Sequence, residues 1–212
     1  MPEKYKPPPF NYCDYRCERC EEQENCRVYK EDQERILKHY SKGEDPYDPK
    51  VIFNDVSEIL HRTKDMLKKD IEKYGINLDE ISKTEVPESK PEDYVIYQLA
   101  EEYYKKANAL IKELERTGIP ETISEKFEDL IWYHTLIVAK TGRLVSGFDD
   151  DLENELSKIE EEGTLKVINK AIALSRTALD RMLNELPDHF NTIINLLDLL
   201  NRLEKELLIS HD

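Results

Sequence analysis

The chain has 212 residues, enough to bury a full core as one domain with an appendage. Apolar residues make up 39% and charged residues 36%, which fits a folded helical protein and excludes disorder. Net charge is −15 and no Lys/Arg stripe interrupts it, so the acidic body would repel a nucleic-acid backbone.

The segment Met1 to Phe10 is charged and Pro-rich, with no apolar run that could serve as a secretory signal. No stretch approaches the ~18 apolar residues of a membrane helix. A cytoplasmic, reducing compartment and no membrane partner are therefore expected, and clustered thiols stay available to metal there. Pro7, Pro8 and Pro9 make a stiff, extended lead-in that helix cannot enter.

All four cysteines of the chain follow at once. Cys13, Cys17, Cys20 and Cys26 have the spacing C-x3-C-x2-C-x5-C. Short spacers of this kind turn successive sulfurs to one side, and the longer one brings the last sulfur back over the opening. That convergence is what a tetrahedral Zn²⁺ ion or the corners of a [4Fe–4S] cube require. Disulfides belong to exported chains, and idle core thiols scatter among apolar residues, whereas these lie among Arg, Glu, Asp and Asn. Between Met1 and Lys30 six acids balance six bases, so the segment is neutral within an acidic protein. Arg16, Arg19 and Arg27 each adjoin a cysteine and could offset a thiolate centre's charge. Tyr12, Tyr15 and Tyr29 could screen the sulfurs from water.

The trio Cys17-x2-Cys20-x5-Cys26 resembles the iron–sulfur staple of RecB-like and CRISPR-associated nucleases, over about ten residues. The resemblance implies a distant fourth ligand and a nuclease core of Asp, Glu and Lys on strands, and this sequence carries no such core. Cys13-x3-Cys17-x2-Cys20 also looks like the cluster loop of radical SAM enzymes, without their alternating strands and helices. In that family three cysteines leave one iron open. A fourth local cysteine argues for a closed centre, with a [4Fe–4S] cluster preferred narrowly over Zn²⁺.

Beyond the cysteines, the pattern is helical throughout. A short helix is expected from about Val28 to Lys42, ended by Gly43, and Gly43 to Pro49 forms a polar turn. Asp48 caps a helix with Pro49 at its first position, and Ile52, Val56, Ile59, Leu60, Leu67, Ile71 and Tyr74 recur at helical spacing up to Gly75. Residues Ile76 to Lys90 form a connection with room for one helical turn. Pro91 opens a helix with Tyr94, Ile96, Leu99, Tyr103, Ala107, Leu110 and Leu114 facing inward, broken by Gly118 and Pro120. The next helix carries Ile123, Phe127, Leu130, Ile131, Ile137, Val138 and Val145, and ends at Gly147 with the acidic run Asp149 to Asp151. From Leu152 to Leu186 the pattern stays helical, with a bend or break expected at Gly163. Pro187 starts a last helix striped by Phe190, Ile193, Ile194, Leu197, Leu200, Leu203 and Leu207.

Other motifs are weaker. Glu58-x-x-His61 is one half of a carboxylate-bridged di-metal set and has polar helical neighbours, so it points to solvent. His61-x-x-Lys64 resembles the motif of histidine phosphotransfer domains, but Asp65 after it would repel a phosphoryl group. Glu125-x-x-Glu128 is similar to the Mg²⁺-binding pairs of all-α nucleotide pyrophosphatases, and the other acidic clusters, Glu101-Glu102 and Glu160 to Glu162, lack that spacing. His134 has apolar neighbours Leu130, Ile131, Ile137 and Val138, which puts it in the seam as a neutral core histidine, with Tyr97 or Tyr103 as the expected partner.

The sequence thus predicts an all-α protein, an up-and-down bundle of four or five long helices over residues 44–212. An N-terminal metal-binding segment, residues 1–43, carries Cys13, Cys17, Cys20 and Cys26. The expected function is a binding or regulatory module with a structural metal site, partnered by another protein. A redox or electron-transfer role for a [4Fe–4S] cluster is the alternative, with His134 marking a pocket. The Leu-rich C-terminal stripe offers a surface for homo-oligomer formation.

Overall fold

The computed structural model describes residues 7–77, 90–148 and 155–209, and among these every regular element is a helix. The expected helical turn between Ile76 and Lys90 and the capping run Asp149 to Asp151 fall largely outside the described residues. Among the described residues six α-helices follow three single-turn 3₁₀ segments: α1 (Arg27–Ser41), α2 (Pro49–Tyr74), α3 (Val95–Thr117), α4 (Ser124–Ser146), α5 (Glu155–Glu185) and α6 (Phe190–Ile209). No described helix is long and apolar enough to cross a membrane.

The helix ends follow local chemistry. Asp48 accepts the Lys50 amide at 2.7 Å, and Gly75 closes α2 in the left-handed conformation at φ +63°. Pro91 and Pro187 each start a 3₁₀ turn (Pro91–Asp93 and Pro187–His189), and the α-helix follows once the missing amide is passed.

The chain divides into two compact units, one formed by Met1–Arg16 and Glu88–Asp212, the other by Cys17–Pro87. In the first unit, α3 packs against α4 and α6, α4 against α5, and α5 against α6, so four helices close around one core. Tyr103, Leu110, Leu130, Ile137, Ile168, Leu179, Met182 and Ile193 are fully enclosed there. Each such side chain contributes about 1.5–3 kcal/mol relative to exposure. The inward positions expected on α3 are buried from Ile96 to Leu114. On α6 the buried line runs Ile193, Leu196, Leu199, Leu200, Leu203 and Leu207, which leaves Phe190 and Ile194 exposed, contrary to the expected stripe.

Two further expectations fail for physical reasons. Gly163 neither bends nor breaks its helix, since α5 runs unbroken from Glu155 to Glu185. The glycine is there for clearance: a Cβ would lie 2.7 Å from the Asn11 carbonyl oxygen and 3.3 Å from Tyr12 Cδ1. The N-terminal 3₁₀ turn Pro9–Tyr12 lies directly on the helix at this point. The apolar stripe of α2 is not a core face either. Phe53, Leu60 and Leu67 are more than half exposed, and no residue of α2 is buried.

In the second unit a polar latch joins α1 to α2. His39 is buried, with Nδ1 2.6 Å from Glu44 Oε2 and Nε2 3.1 Å from both Asp55 carboxylate oxygens. Arg35 donates to Asp55 at 3.2 Å and to the Pro46 carbonyl at 3.2 Å. Asp55 resists protonation: desolvation opposes its charge, but hydrogen bonds from Arg35 and His39 outweigh it and hold its pKa below the ordinary carboxylate value.

Candidate metal centre and its anchor

The cysteine segment is built from short 3₁₀ turns. Cys17 opens the turn Cys17–Arg19, where the Cys20 amide donates to the Cys17 carbonyl at 3.2 Å. Cys26 follows the turn Gln23–Asn25, donates to the Gln23 carbonyl, and serves as N-cap of α1. The Gln23 side-chain amide donates to the Cys17 carbonyl, which ties the x5 spacer back to the earlier turn. Cys26 is buried, and Cys13, Cys17 and Cys20 are half-buried. None of the four is joined in a disulfide.

Cys13 belongs to the first unit, and Cys17, Cys20 and Cys26 belong to the second. Among the described residues no three or more His, Cys, Asp or Glu side chains are drawn together as a metal cage. The donor chemistry suits either centre, since thiols give soft ligands for Zn²⁺ or for the corners of a [4Fe–4S] cube.

Sequence reasoning missed the anchor beside Cys13. Asp14 is 5% exposed and accepts from the Tyr133 hydroxyl at 2.6 Å and from Lys170 Nζ at 2.8 Å. Its backbone carbonyl accepts from Trp132 Nε1 at 2.8 Å. Burial alone would raise the Asp14 pKa, but the bonds from Lys170 and Tyr133 outweigh it and hold the carboxyl below its ordinary value. Burial and then Asp14 itself push the Tyr133 phenol up.

The Asp14 Oδ1 also accepts the Arg16 amide at 3.3 Å, closing a turn over Tyr15, whose φ is +61°. A left-handed tyrosine is strained by roughly 1–2 kcal/mol, and the anchors on either side enforce it. Arg16 is itself 9% exposed, with its guanidinium 5.4 Å over the Trp132 ring and 3.9 Å from Asp129, which also pairs with Lys126 at 3.2 Å. The charge expected to offset the sulfurs from Arg16 is thus turned toward α4. Arg27 pairs with Glu31 at 2.8 Å on the surface of α1. Tyr12 receives Lys166 Nζ at 4.6 Å over its ring, and Tyr15 receives Lys140 Nζ at 5.4 Å. Cys13 is near enough to Lys140 to act on its charge.

His134 is buried as expected, but its partners differ. Nδ1 meets the Ile131 carbonyl at 2.7 Å and the Leu130 carbonyl at 3.1 Å, and the ring stacks on Tyr104 at 5.3 Å. One turn of its own helix supplies acceptors before Tyr97 or Tyr103 could. Burial pushes its pKa down, against the pull of the two carbonyls. His61 is exposed, with Nδ1 2.8 Å from the Ser57 carbonyl.

No protein-family model, curated protein or solved structure matches this chain.

Proposed function

We propose that this is a metal-binding all-α protein, an up-and-down helical bundle whose N-terminal segment is organised by one centre ligated by Cys13, Cys17, Cys20 and Cys26. The observation that carries the reading is the local spacing of four thiols, none in a disulfide, on turns held by backbone bonds. The centre is a [4Fe–4S] cluster, narrowly preferred, or Zn²⁺, and four local thiolates would close either one. Its role is structural. Metal binding contributes folding energy to a segment too short to bury a core of its own, and fixes the neutral tip as a surface for a partner protein.

The direct test is metal-dependent protection of the N-terminal segment. Protein purified with its metal should resist proteolysis between Cys13 and Arg27, and chelation should open that stretch while far-ultraviolet circular dichroism stays helical. Cys20→Ser and Cys26→Ser should behave as the chelated protein does. Equal cleavage with and without metal would refute the reading.

A further inference from the structure

Where the N-terminal segment crosses α4 and α5, it walls a cavity of about 330 Å³ within the first unit. Phe10, Asn11 and Tyr15 form one side, and Lys140, Arg143, Glu160 and Thr164 the other. That volume lies at the lower end of small-molecule sites.

Three features of the wall call for an anion. Lys140 is half-buried and makes no ion pair among the described residues, its ammonium resting instead against the Tyr15 ring. Burial and the adjacent Arg143 push the Lys140 pKa down, against the opposing pull of Cys13 and Glu160. Arg143 lies beside it and pairs with Glu160, so among the described residues two cations share one carboxylate. Thr164 is 5% exposed and lines the cavity with its hydroxyl-bearing side chain. The strained Tyr15 is fixed where it forms the lip, by anchors that flank it on both sides. In a protein of net charge −15 such an arrangement is against the general composition.

We propose that this cavity binds a small oxyanion, phosphate or carboxylate, through the Lys140 ammonium, the Arg143 guanidinium and the Thr164 hydroxyl, with Tyr15 and Phe10 covering its apolar side. Arg143 offers a planar fork to two oxygens and Lys140 a point charge to a third. Glu160 is the internal competitor that the ligand displaces from Arg143. The inference does not depend on which metal the cysteines hold.

The test is calorimetric titration of the full-length protein at constant ionic strength, with inorganic phosphate in one arm and succinate in the other. Saturable binding to one site is expected in at least one arm, and the arm with the tighter binding identifies the chemistry. Lys140→Met should weaken that binding about tenfold or more, the loss expected for a charge-assisted contact. Glu160→Gln should tighten it by freeing Arg143, an effect that a purely structural salt bridge would not produce. Lys205→Met, exposed on α6, should leave it unchanged. Absence of saturable binding in both arms, or equal affinity in the parent and Lys140→Met, would overturn the proposal and leave Lys140 as a counter-charge for Cys13 alone. Should Lys140→Met fail to fold, weaker or unchanged binding in Glu160→Gln is sufficient to reject it.

Discussion

Replacing Asp14 by Ala removes a buried carboxylate whose partners stay in place. The Tyr133 hydroxyl loses a charge-assisted bond of 2.6 Å, the kind worth about 1.5–3 kcal/mol. The Lys170 pair adds less, about 1 kcal/mol at most, because that lysine side chain is 53% exposed and water takes its place. The Trp132 bond goes to the backbone carbonyl and survives the substitution. The expected loss is therefore about 3 kcal/mol. With a urea slope of about 2 kcal/mol/M, the midpoint should fall by roughly 1.5 M. Trp132 is the one tryptophan in the chain and touches the anchor directly, so its fluorescence reports the transition. Asp14→Asn keeps an acceptor for Tyr133 and loses the charge, and should cost about half as much. The pH dependence has a definite sign. The folded pKa of Asp14 is depressed, so its contribution is full above the unfolded value near 3.9 and is lost as pH falls through the folded one. Parent and Asp14→Asn should therefore converge in acid. A midpoint for Asp14→Ala within about 0.2 M of the parent would refute the assignment of Asp14 as the anchor, on the same slope.

Further substitutions probe other parts of the same argument. Gly163→Ala should improve helix propensity by up to ~1 kcal/mol yet drive a methyl into the Asn11 carbonyl, so amide exchange in residues 9–16 should accelerate while helix content holds; unchanged protection would contradict the close approach. Tyr103 and Ser175 hydroxyls are enclosed without a hydrogen bond of normal geometry among the described residues, although near enough for the serine to temper the burial-raised phenol pKa. Tyr103→Phe should accordingly raise the urea midpoint, by up to about 1 kcal/mol in stability, and a loss of that size would show the hydroxyl satisfied in solution. His134 has a folded pKa below its unfolded value near 6.5, so acidification through that value protonates the unfolded chain first and lowers stability. His134→Phe keeps the stacking on Tyr104 and should flatten the stability profile between pH 7 and 5.5; an unaltered slope would place the dependence elsewhere.

The helices were legible because period, caps and breakers agree at each one. Asp48 before Pro49, Gly75 after Tyr74, and the apolar recurrence from Ile96 to Leu114 all specify local geometry, and local geometry needs no partner to be read. Position in the fold was less legible. The stripe of α2 has the same periodicity as that of α3, and nothing in either sequence tells an enclosed face from an open one. Gly163 was misread because a glycine inside a helical pattern reports on the helix only when nothing else approaches it, and here the Asn11 backbone does. The buried roles of Asp14 and Arg16 had no signal at all: between cysteines, an acid and a base look like solvated neighbours. Their partners Trp132, Tyr133 and Lys170 lie more than a hundred residues away in the chain, and His39 owes its burial to carboxylates on the following turn and helix.

Metal analysis of anaerobically purified protein, read together with its visible spectrum, bears most directly on the four-cysteine centre. The account predicts stoichiometric metal: iron with acid-labile sulfide and a brown charge-transfer band, or colourless protein with one zinc per chain, in either case lost in Cys17→Ser. Parent protein that contains neither metal, with four thiols freely titratable under exclusion of oxygen, would contradict it.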